Sequence, residues 1–134
     1  MPVRGLDHVA ITCLDIEATL SFYKRVLGAT TLYEDEWRAG KIPVVMLQVG
    51  ESRMSIHDAA SPAKPHANLP TPGSEDVCFR FDGPIAEAQA QLAAESVEVI
   101  EGPVPRPAAD GTLGQSVYFR DPDGNLLEFL SSDW

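Results

Sequence analysis

The sequence has 134 residues, the length of one domain, with 44% hydrophobic and 22% charged residues. A net charge of −10 argues against nucleic-acid binding, which needs a concentrated basic surface. No apolar run reaches the ~18 residues that span a bilayer, and the first five residues lack the apolar stretch of a secretory signal. We therefore expect a cytoplasmic protein that contacts neither nucleic acid nor membrane.

The first part of the chain predicts a strand, a helix and three further strands. Residues 6–13 are β-branched and apolar, which is typical of a strand. Asp15 is a suitable N-cap for a helix that runs to about Leu27, and Gly28 suits its C-cap. The three shorter strands are predicted at 30–33, 44–49 and 53–57.

Residues 59–73 contain four prolines and no periodicity, which predicts a linker. The same order of elements then begins again. Strands are predicted at 75–81, 97–100, 115–120 and 125–130, a helix at 85–96, a Pro/Gly-rich loop at 101–114 and a type I turn at 121–124.

A strand, a helix and three strands thus occur twice, although the two copies share little sequence identity. The repeat predicts one α+β domain of two βαβββ halves, 1–58 and 74–134, joined by the linker. Two like halves imply pseudo-two-fold symmetry, and a functional site is expected at their interface.

Overlaying the halves places His8 on Asp76 and His57 near Glu128. A pseudo-two-fold axis would bring such positions together, and imidazole with carboxylate suits a borderline divalent cation. Each residue alone has an ordinary alternative: a hydrogen-bonded histidine, or a glutamate that alternation turns to solvent. Because the four positions follow the repeat, we predict one metal on His8, His57 and Glu128.

Ordinary roles are considered for four other side chains. Cys13 and Cys78 lie in apolar, strand-like runs, which predicts small buried residues; a thiolate ligand is the alternative. His66 lies in the predicted linker and is expected to be solvated. Arg106, in the predicted second-half loop, is either a surface arginine or a residue that closes over an anionic substrate.

The chain resembles the vicinal-oxygen-chelate superfamily of glyoxalase I, fosfomycin-resistance transferases, bleomycin-binding proteins and extradiol dioxygenases. The resemblance covers nearly the whole chain. Within the superfamily the chain is most similar to small glyoxalase-domain proteins of virulence type. The superfamily match rests on 6–11, 22–28 and 118–128, and the closer match on 56–57, 70–74, 76–78 and 101–106.

The resemblance implies that the halves form an open, cupped mixed sheet around a metal, with His8, His57 and Glu128 at ligand positions. Most members open the second half with His, where this chain has Asp76, so Asp76 is either a ligand or a residue that orients a bound water. The residues that match Ser116 and Tyr118 line the substrate site of fosfomycin-resistance relatives. Tyr118 packed in the sheet with its hydroxyl at the rim is the alternative. A homodimer is also implied.

The leading hypothesis is therefore a metal-dependent enzyme that binds a small substrate through two adjacent oxygens. The metal is Fe, Mn, Ni or Zn, Asp76 is a candidate general base, and Tyr118 is a candidate hydrogen-bond donor to substrate. Lyase, isomerase and ring-cleaving dioxygenase chemistry remain open. The rival hypothesis is a metal-free drug-binding protein like the bleomycin-sequestering members, and a third is a pseudo-enzyme.

Overall fold

Each half of the chain folds as a separate unit in which one long helix packs on one four-stranded sheet. The computed structural model describes residues 1–133. Unit 1 comprises residues 1–73, and unit 2 begins at Ser74. The elements of unit 1 are β1 (Val9–Cys13), α1 (Ile16–Leu27), β2 (Thr30–Leu32), α2 (Glu34–Arg38), β3 (Val45–Val49) and β4 (Ser52–Asp58). Those of unit 2 are β5 (Asp76–Arg80), α3 (Ile85–Ala94), β6 (Glu101–Pro107), β7 (Leu113–Arg120) and β8 (Leu126–Ser131).

The two sheets have the same topology. Strand order is β1-β4-β3-β2 in unit 1 and β5-β8-β7-β6 in unit 2. The first strand of each unit pairs parallel to the last, and the other neighbours pair antiparallel. The predicted α+β class with two like halves is confirmed.

Helix α1 begins and ends as its sequence predicts. The Asp15 carboxylate accepts a hydrogen bond from the backbone N–H of Ala18, and Gly28 takes a left-handed conformation with φ 67°. Leu20, Tyr23 and Val26 form its buried stripe. Burying each such side chain contributes about 1.5–3 kcal/mol.

The face of each sheet that packs on its helix forms the core of that unit. In unit 1 this face includes Val45, Leu47, Met54 and Ile56, all at most 2% exposed. In unit 2 it includes Val117, Phe119, Leu127 and Phe129. The rings of Phe119 and Phe129 lie 4.8 Å apart between centroids. Strand alternation therefore leaves the opposite face of each sheet to carry polar residues.

Two predictions for unit 2 are wrong. Residues 97–100 do not form a strand, and the predicted loop at 101–114 contains β6, at Glu101–Pro107, and the start of β7. Three prolines within 101–107 argued against a strand. Strand β6 lies at the edge of its sheet, where alternate backbone N–H groups point away from the neighbouring strand and proline is tolerated.

Helix α2 was not predicted either. It is only five residues long and none of its side chains is buried, so no apolar periodicity marks it. Its acidic first turn and an ion pair of 2.8 Å between Arg38 and Glu34 at i,i+4 support it locally.

The turn before β8 is hydrogen-bonded to the chain just before β5. The backbone N–H of Gly124 bonds the carbonyl of Asp121 at 3.0 Å, as the predicted type I turn requires. The buried Asp121 carboxylate accepts hydrogen bonds from the backbone and side chain of Asn125. The Asn125 side-chain oxygen in turn accepts from the backbone N–H of Glu75, just before β5.

Of the helices within residues 1–133, none is long and apolar enough to cross a membrane.

Candidate functional site

The side chains singled out from the sequence lie largely on the sheet faces opposite the long helices, here called the polar faces. Ser55 and His57 share the polar face of unit 1, because residues two apart on a strand point the same way. Ser116, Tyr118 and Glu128 share the polar face of unit 2.

His57 is the half-buried centre of the unit 1 face. It shares a hydrogen bond of 2.8 Å between its Nε2 and the Ser55 hydroxyl. Burial is the main cause that lowers the pKa of His57, and the nearby His8 and His66 lower it further. All three histidines of the chain therefore lie within electrostatic reach of this position. A lowered pKa keeps the imidazole neutral at physiological pH, which is the form that binds a metal.

His8 precedes β1 by one residue and is oriented by its neighbour. Its Nδ1 lies 2.7 Å from the Asp7 carboxylate, which accepts the hydrogen bond. The same contact lowers the pKa of Asp7. When Nδ1 donates to Asp7 in the metal-binding form of the ring, Nε2 is the nitrogen that carries the lone pair. A carboxylate that orients a histidine in this way is typical of metal-ligating histidines.

The register of the strands corrects one equivalence. Strand β1 pairs Ala10 with Ser55, and β5 pairs Cys78 with Glu128. An overlay of His8 on Asp76 therefore places Ser55, not His57, at the position of Glu128. His57 lies two residues further along β4, on the same face, so the expected matching of His57 with Glu128 is wrong by one strand repeat.

Glu128 receives three hydrogen-bond donors on the polar face of unit 2. The hydroxyl of the buried Ser116 donates to its Oε2 at 2.5 Å. The thiol of Cys78 and the phenol of Tyr118 also lie within hydrogen-bonding reach of the carboxylate. These contacts come from both neighbouring strands, since β8 lies between β5 and β7. The cost of placing a carboxylate in an apolar strand is thereby offset.

Tyr118 connects Glu128 to Arg106. The Arg106 Nε donates to the Tyr118 hydroxyl oxygen at 3.0 Å, and the guanidinium lies 5.6 Å from the centroid of the phenol ring. Burial raises the pKa of Tyr118, Glu128 raises it further, and Arg106 partly opposes them. The phenol therefore keeps its proton at neutral pH. Arg106 also pairs with Glu101 at 3.4 Å, and its side chain is 40% exposed.

Cys78 differs from its prediction. Cys13 is buried as expected, but Cys78 is exposed, because it points to the polar face rather than to the helix. Although the residue as a whole is exposed, partial burial of its sulfur and the adjacent Glu128 raise the pKa of the Cys78 thiol to about 12. The thiol is therefore a hydrogen-bond donor at neutral pH rather than a thiolate. Asp76 lies two residues before Cys78 and is exposed at the start of β5.

The donor chemistry of the three candidate ligands suits a divalent metal. His8 and His57 belong to unit 1, and Glu128 belongs to unit 2. Two His and one carboxylate form a ligand set that Zn, Fe, Mn and Ni accept. Across residues 1–133, no three His, Cys, Asp or Glu side chains are grouped so as to hold a metal.

The sequence matches a known family along nearly its whole length. Residues 5–129 fit the model of the Glyoxalase/Bleomycin resistance protein/Dioxygenase superfamily. The chain belongs to this superfamily. The resemblance inferred from the sequence motifs is thus confirmed.

Two relatives place the chain more closely within this superfamily. The glyoxalase domain-containing protein RDO1 of Mycosarcoma maydis is 39% identical over 131 residues, covering 98% of this chain and 70% of the relative. Virulence protein STM3117 of Salmonella typhimurium is 35% identical over 128 residues, covering 96% of this chain and 84% of the relative. Its crystal structure superimposes with a TM-score of 0.88 and covers 99% of this chain and 100% of that one.

More distant structures share the fold. A variant of the fosfomycin resistance protein FosX from Listeria monocytogenes, complexed with Mn(II) and 1S,2S-dihydroxypropylphosphonic acid, has a TM-score of 0.63 at 20% identity, covering 96% of this chain and 90% of that one. The antibiotic binding protein TnmS3 from a Streptomyces species has a TM-score of 0.75 at 20% identity, covering 99% of each chain. The same fold thus occurs in a protein that was crystallised with Mn(II) and in an antibiotic binding protein.

The sequence reasoning missed the residues that orient the candidate ligands. Asp7 and Ser55 hydrogen-bond to His8 and His57, and Cys78 lies beside Glu128. Strand alternation was a usable signal for Ser55, because a residue two positions before His57 on a strand shares its face.

Proposed function

We propose that the chain is a metal-dependent enzyme that binds one divalent metal on His8, His57 and Glu128 and acts on a small molecule with two adjacent oxygen atoms. The observation that carries the proposal is that each of the three side chains is already hydrogen-bonded to a neighbour that orients it. These neighbours are Asp7, Ser55 and Ser116. Outer partners of this kind are a usual feature of metal sites.

Membership of the superfamily supports the same proposal. The family description includes glyoxalases and dioxygenases, and the FosX variant from Listeria monocytogenes was crystallised with Mn(II) and a dihydroxy compound. A divalent metal and a small oxygenated ligand are therefore within the range of this fold.

Each of the other residues would have a separate role at such a site. The metal, when bound, supplies Lewis-acid stabilisation of negative charge that develops on a substrate oxygen. Tyr118 keeps its proton and can donate a hydrogen bond to the bound substrate. Asp76, exposed at the start of β5, is the candidate general base. Arg106, partly exposed beside Tyr118, offers a cation to an anionic substituent of the substrate.

The proposal covers Fe, Mn, Ni or Zn as the metal, and lyase, isomerase or ring-cleaving dioxygenase chemistry. Two His and one carboxylate leave coordination positions for O₂ and substrate, which favours iron. A homodimer and a cytoplasmic location are part of the proposal, as the resemblance and the sequence composition imply.

Metal content tests the proposal directly. The protein is purified without added metal or chelator and analysed by elemental analysis, beside His57→Ala and His66→Ala. His66 is the matched control, because it lies near His57 but bonds only the carbonyl of Ala67 among the contacts described. We expect about one equivalent of Fe, Mn, Ni or Zn in the parent and in His66→Ala, and its loss in His57→Ala.

A parent that contains no metal and takes none up on titration would contradict the proposal. In that case a screen of aromatic drugs against the metal-free protein tests the rival hypothesis of a binding protein. Retention of metal in His57→Ala but not in His66→Ala would move the site away from the proposed ligands. Where metal is found, diols and α-hydroxy thioesters are the first substrates to assay with that metal.

A further inference from the structure

We infer that Ser116 is a positioning residue that fixes the carboxylate of Glu128, and not a residue that contacts substrate. The inference deepens the proposed function, on which its metal-binding test rests. It reassigns a residue that the superfamily resemblance places in the substrate site. Two observations carry it: the burial of Ser116 and the direction of its single hydroxyl proton.

Ser116 has no exposed surface. Its relative exposure is 0%, although it lies on the polar face and not on the face that packs against α3. Val104 on β6 and Leu130 on β8 are its partners on the two neighbouring strands. A substrate that approaches the polar face therefore meets the side chains around Ser116 before it reaches the hydroxyl.

The hydroxyl proton of Ser116 is already committed. A serine hydroxyl has one proton to donate, and a carboxylate can only accept. The Ser116 hydroxyl donates to Glu128 Oε2 at 2.5 Å, across the diagonal between β7 and β8. Buried hydroxyls keep such a bond because breaking it leaves a polar group unsatisfied. The Ser116 proton is thus used by the Glu128 carboxylate and is not free for a substrate.

The other two donors to Glu128 are less constrained. Cys78 is exposed and Tyr118 is partly exposed, so both side chains have room to turn toward a ligand. The Tyr118 oxygen is also held by Arg106. Ser116 is the one donor of the three that is fully buried, and it is therefore the one that sets the orientation of the carboxylate in every state of the face.

Metal affinity tests this assignment without any substrate. Metal-free parent, Ser116→Ala and Ser116→Thr are titrated with Mn²⁺ alone by calorimetry. We expect Ser116→Ala to bind Mn²⁺ about 10–100-fold more weakly, the usual loss when an outer partner of a ligand is removed. Ser116→Thr keeps the hydroxyl and should restore most of the affinity. Thermal unfolding of each variant checks that the fold is retained.

A double-mutant cycle shows whether the loss acts through Glu128. In a Glu128→Ala background, Ser116→Ala should weaken Mn²⁺ binding no further, because the group that it positions is gone. Unchanged Mn²⁺ affinity in Ser116→Ala, or a loss that persists in full in the Glu128→Ala background, would overturn the inference.

A metal-independent readout separates this inference from the proposed function. In metal-free protein with ¹³C-labelled glutamate, relaxation of the Glu128 carboxyl carbon reports its mobility. Ser116→Ala should increase that mobility and Ser116→Thr should not. A parent that binds none of Fe, Mn, Ni and Zn but shows this change refutes the proposed function and supports the positioning role. Equal mobility in parent and Ser116→Ala refutes the positioning role.

Discussion

The polar faces of the two units are built on the same backbone frame but carry opposite chemistry. At matching positions of the frame, unit 1 pairs Ala10 with Ser55, and unit 2 pairs Cys78 with Glu128. Unit 1 presents the neutral imidazole of His57, two residues beyond Ser55 on β4. Unit 2 presents the carboxylate of Glu128, surrounded by donors from both neighbouring strands. Strand pairing thus fixes where a functional side chain lies, and its neighbours on the same face decide its charge and direction.

The largest expected effect is the slow alkylation of Cys78 on the polar face of unit 2. Cys78 is exposed, yet its pKa of about 12 keeps it protonated, so at pH 8 its thiolate fraction is about a thousandfold below that of an ordinary thiol. Because the pKa is raised, alkylation should accelerate as pH rises toward 12 and show no plateau near pH 9. Iodoacetamide labelling of metal-free protein, followed by peptide mass spectrometry, separates Cys78 from the buried Cys13.

Removing the charge beside the thiol provides the control. Glu128→Gln should lower the pKa of Cys78 and speed its alkylation at pH 8, since the Glu128 charge is one cause of the raised value. If Cys78 in the parent reacts as fast as free cysteine, the polar face of unit 2 does not raise the pKa of its thiol, which contradicts the prediction.

The second prediction compares the matching positions Glu128 and Ser55. Glu128→Ala removes a proposed ligand and should weaken Mn²⁺ binding by roughly 100-fold or more, whereas Ser55→Ala removes only a partner of His57 and should weaken it by about tenfold. Calorimetric titration with Mn²⁺ measures both. Equal losses would mean that the two positions have the same role, contrary to the comparison above.

The third prediction compares the turns that precede the last strand of each unit. Asn125→Ala removes a buried hydrogen bond of 2.7 Å to Asp121 and the acceptor for the Glu75 backbone, and should cost about 2–3 kcal/mol. Gln48→Ala removes exposed hydrogen bonds with the carbonyl of Gly50 and the side chain of Arg53, and should cost about 0.5 kcal/mol or less. Urea unfolding monitored by circular dichroism gives both values, and a larger loss for Gln48→Ala would reverse the expected order.

The smallest effect lies away from both polar faces. Thr31, Arg38 and Lys24 lower the pKa of Glu34 to about 2 from an ordinary value near 4.5. A lowered pKa gives stability that is fully present above about pH 4.5 and is lost as pH falls through about 2. Glu34→Gln should therefore lose less stability than the parent between pH 5 and pH 2.

At pH 7 the Glu34→Gln change should cost under about 1 kcal/mol, because the ion pairs are near the surface. Thermal unfolding at pH 7, 4.5 and 3 tests the pH dependence. The variant should bind Mn²⁺ as the parent does, so it also serves as a control for the Glu128 and Ser55 measurements. Identical acid profiles for variant and parent would contradict the assignment of the lowered pKa.

Much of the fold follows from local signals in the sequence. Asp15 and Gly28 mark the ends of α1, and Asp121 to Gly124 mark a turn, because capping and turn chemistry depend on a few adjacent residues. Strand β6 was not predicted because its prolines are acceptable only in a strand at the edge of a sheet. Whether a strand lies at the edge is decided when the sheet assembles, not by the local sequence. Helix α2 was not predicted because none of its side chains is buried, so no apolar pattern marks it in the sequence.

The candidate site was only partly accessible from the sequence. The motifs identified Glu128 and Tyr118, and the structure adds which groups contact them. The hydrogen bond from Ser116 to Glu128 depends on the diagonal register between β7 and β8, which no single-sequence pattern encodes. The equivalence of His57 and Glu128 in the repeat was misjudged for the same reason, since matching by repeat order does not resolve a shift of two residues along a strand.

The proline-rich edge strand β6 has a consequence for how the protein behaves at high concentration. An open sheet edge normally exposes a row of backbone donors and acceptors to which a strand of another molecule can add. Pro103, Pro105 and Pro107 remove every second donor from β6, at the outer edge of the unit 2 sheet. That edge therefore cannot template strand addition, and fibril growth from this side of the protein is blocked by the covalent structure of the chain itself.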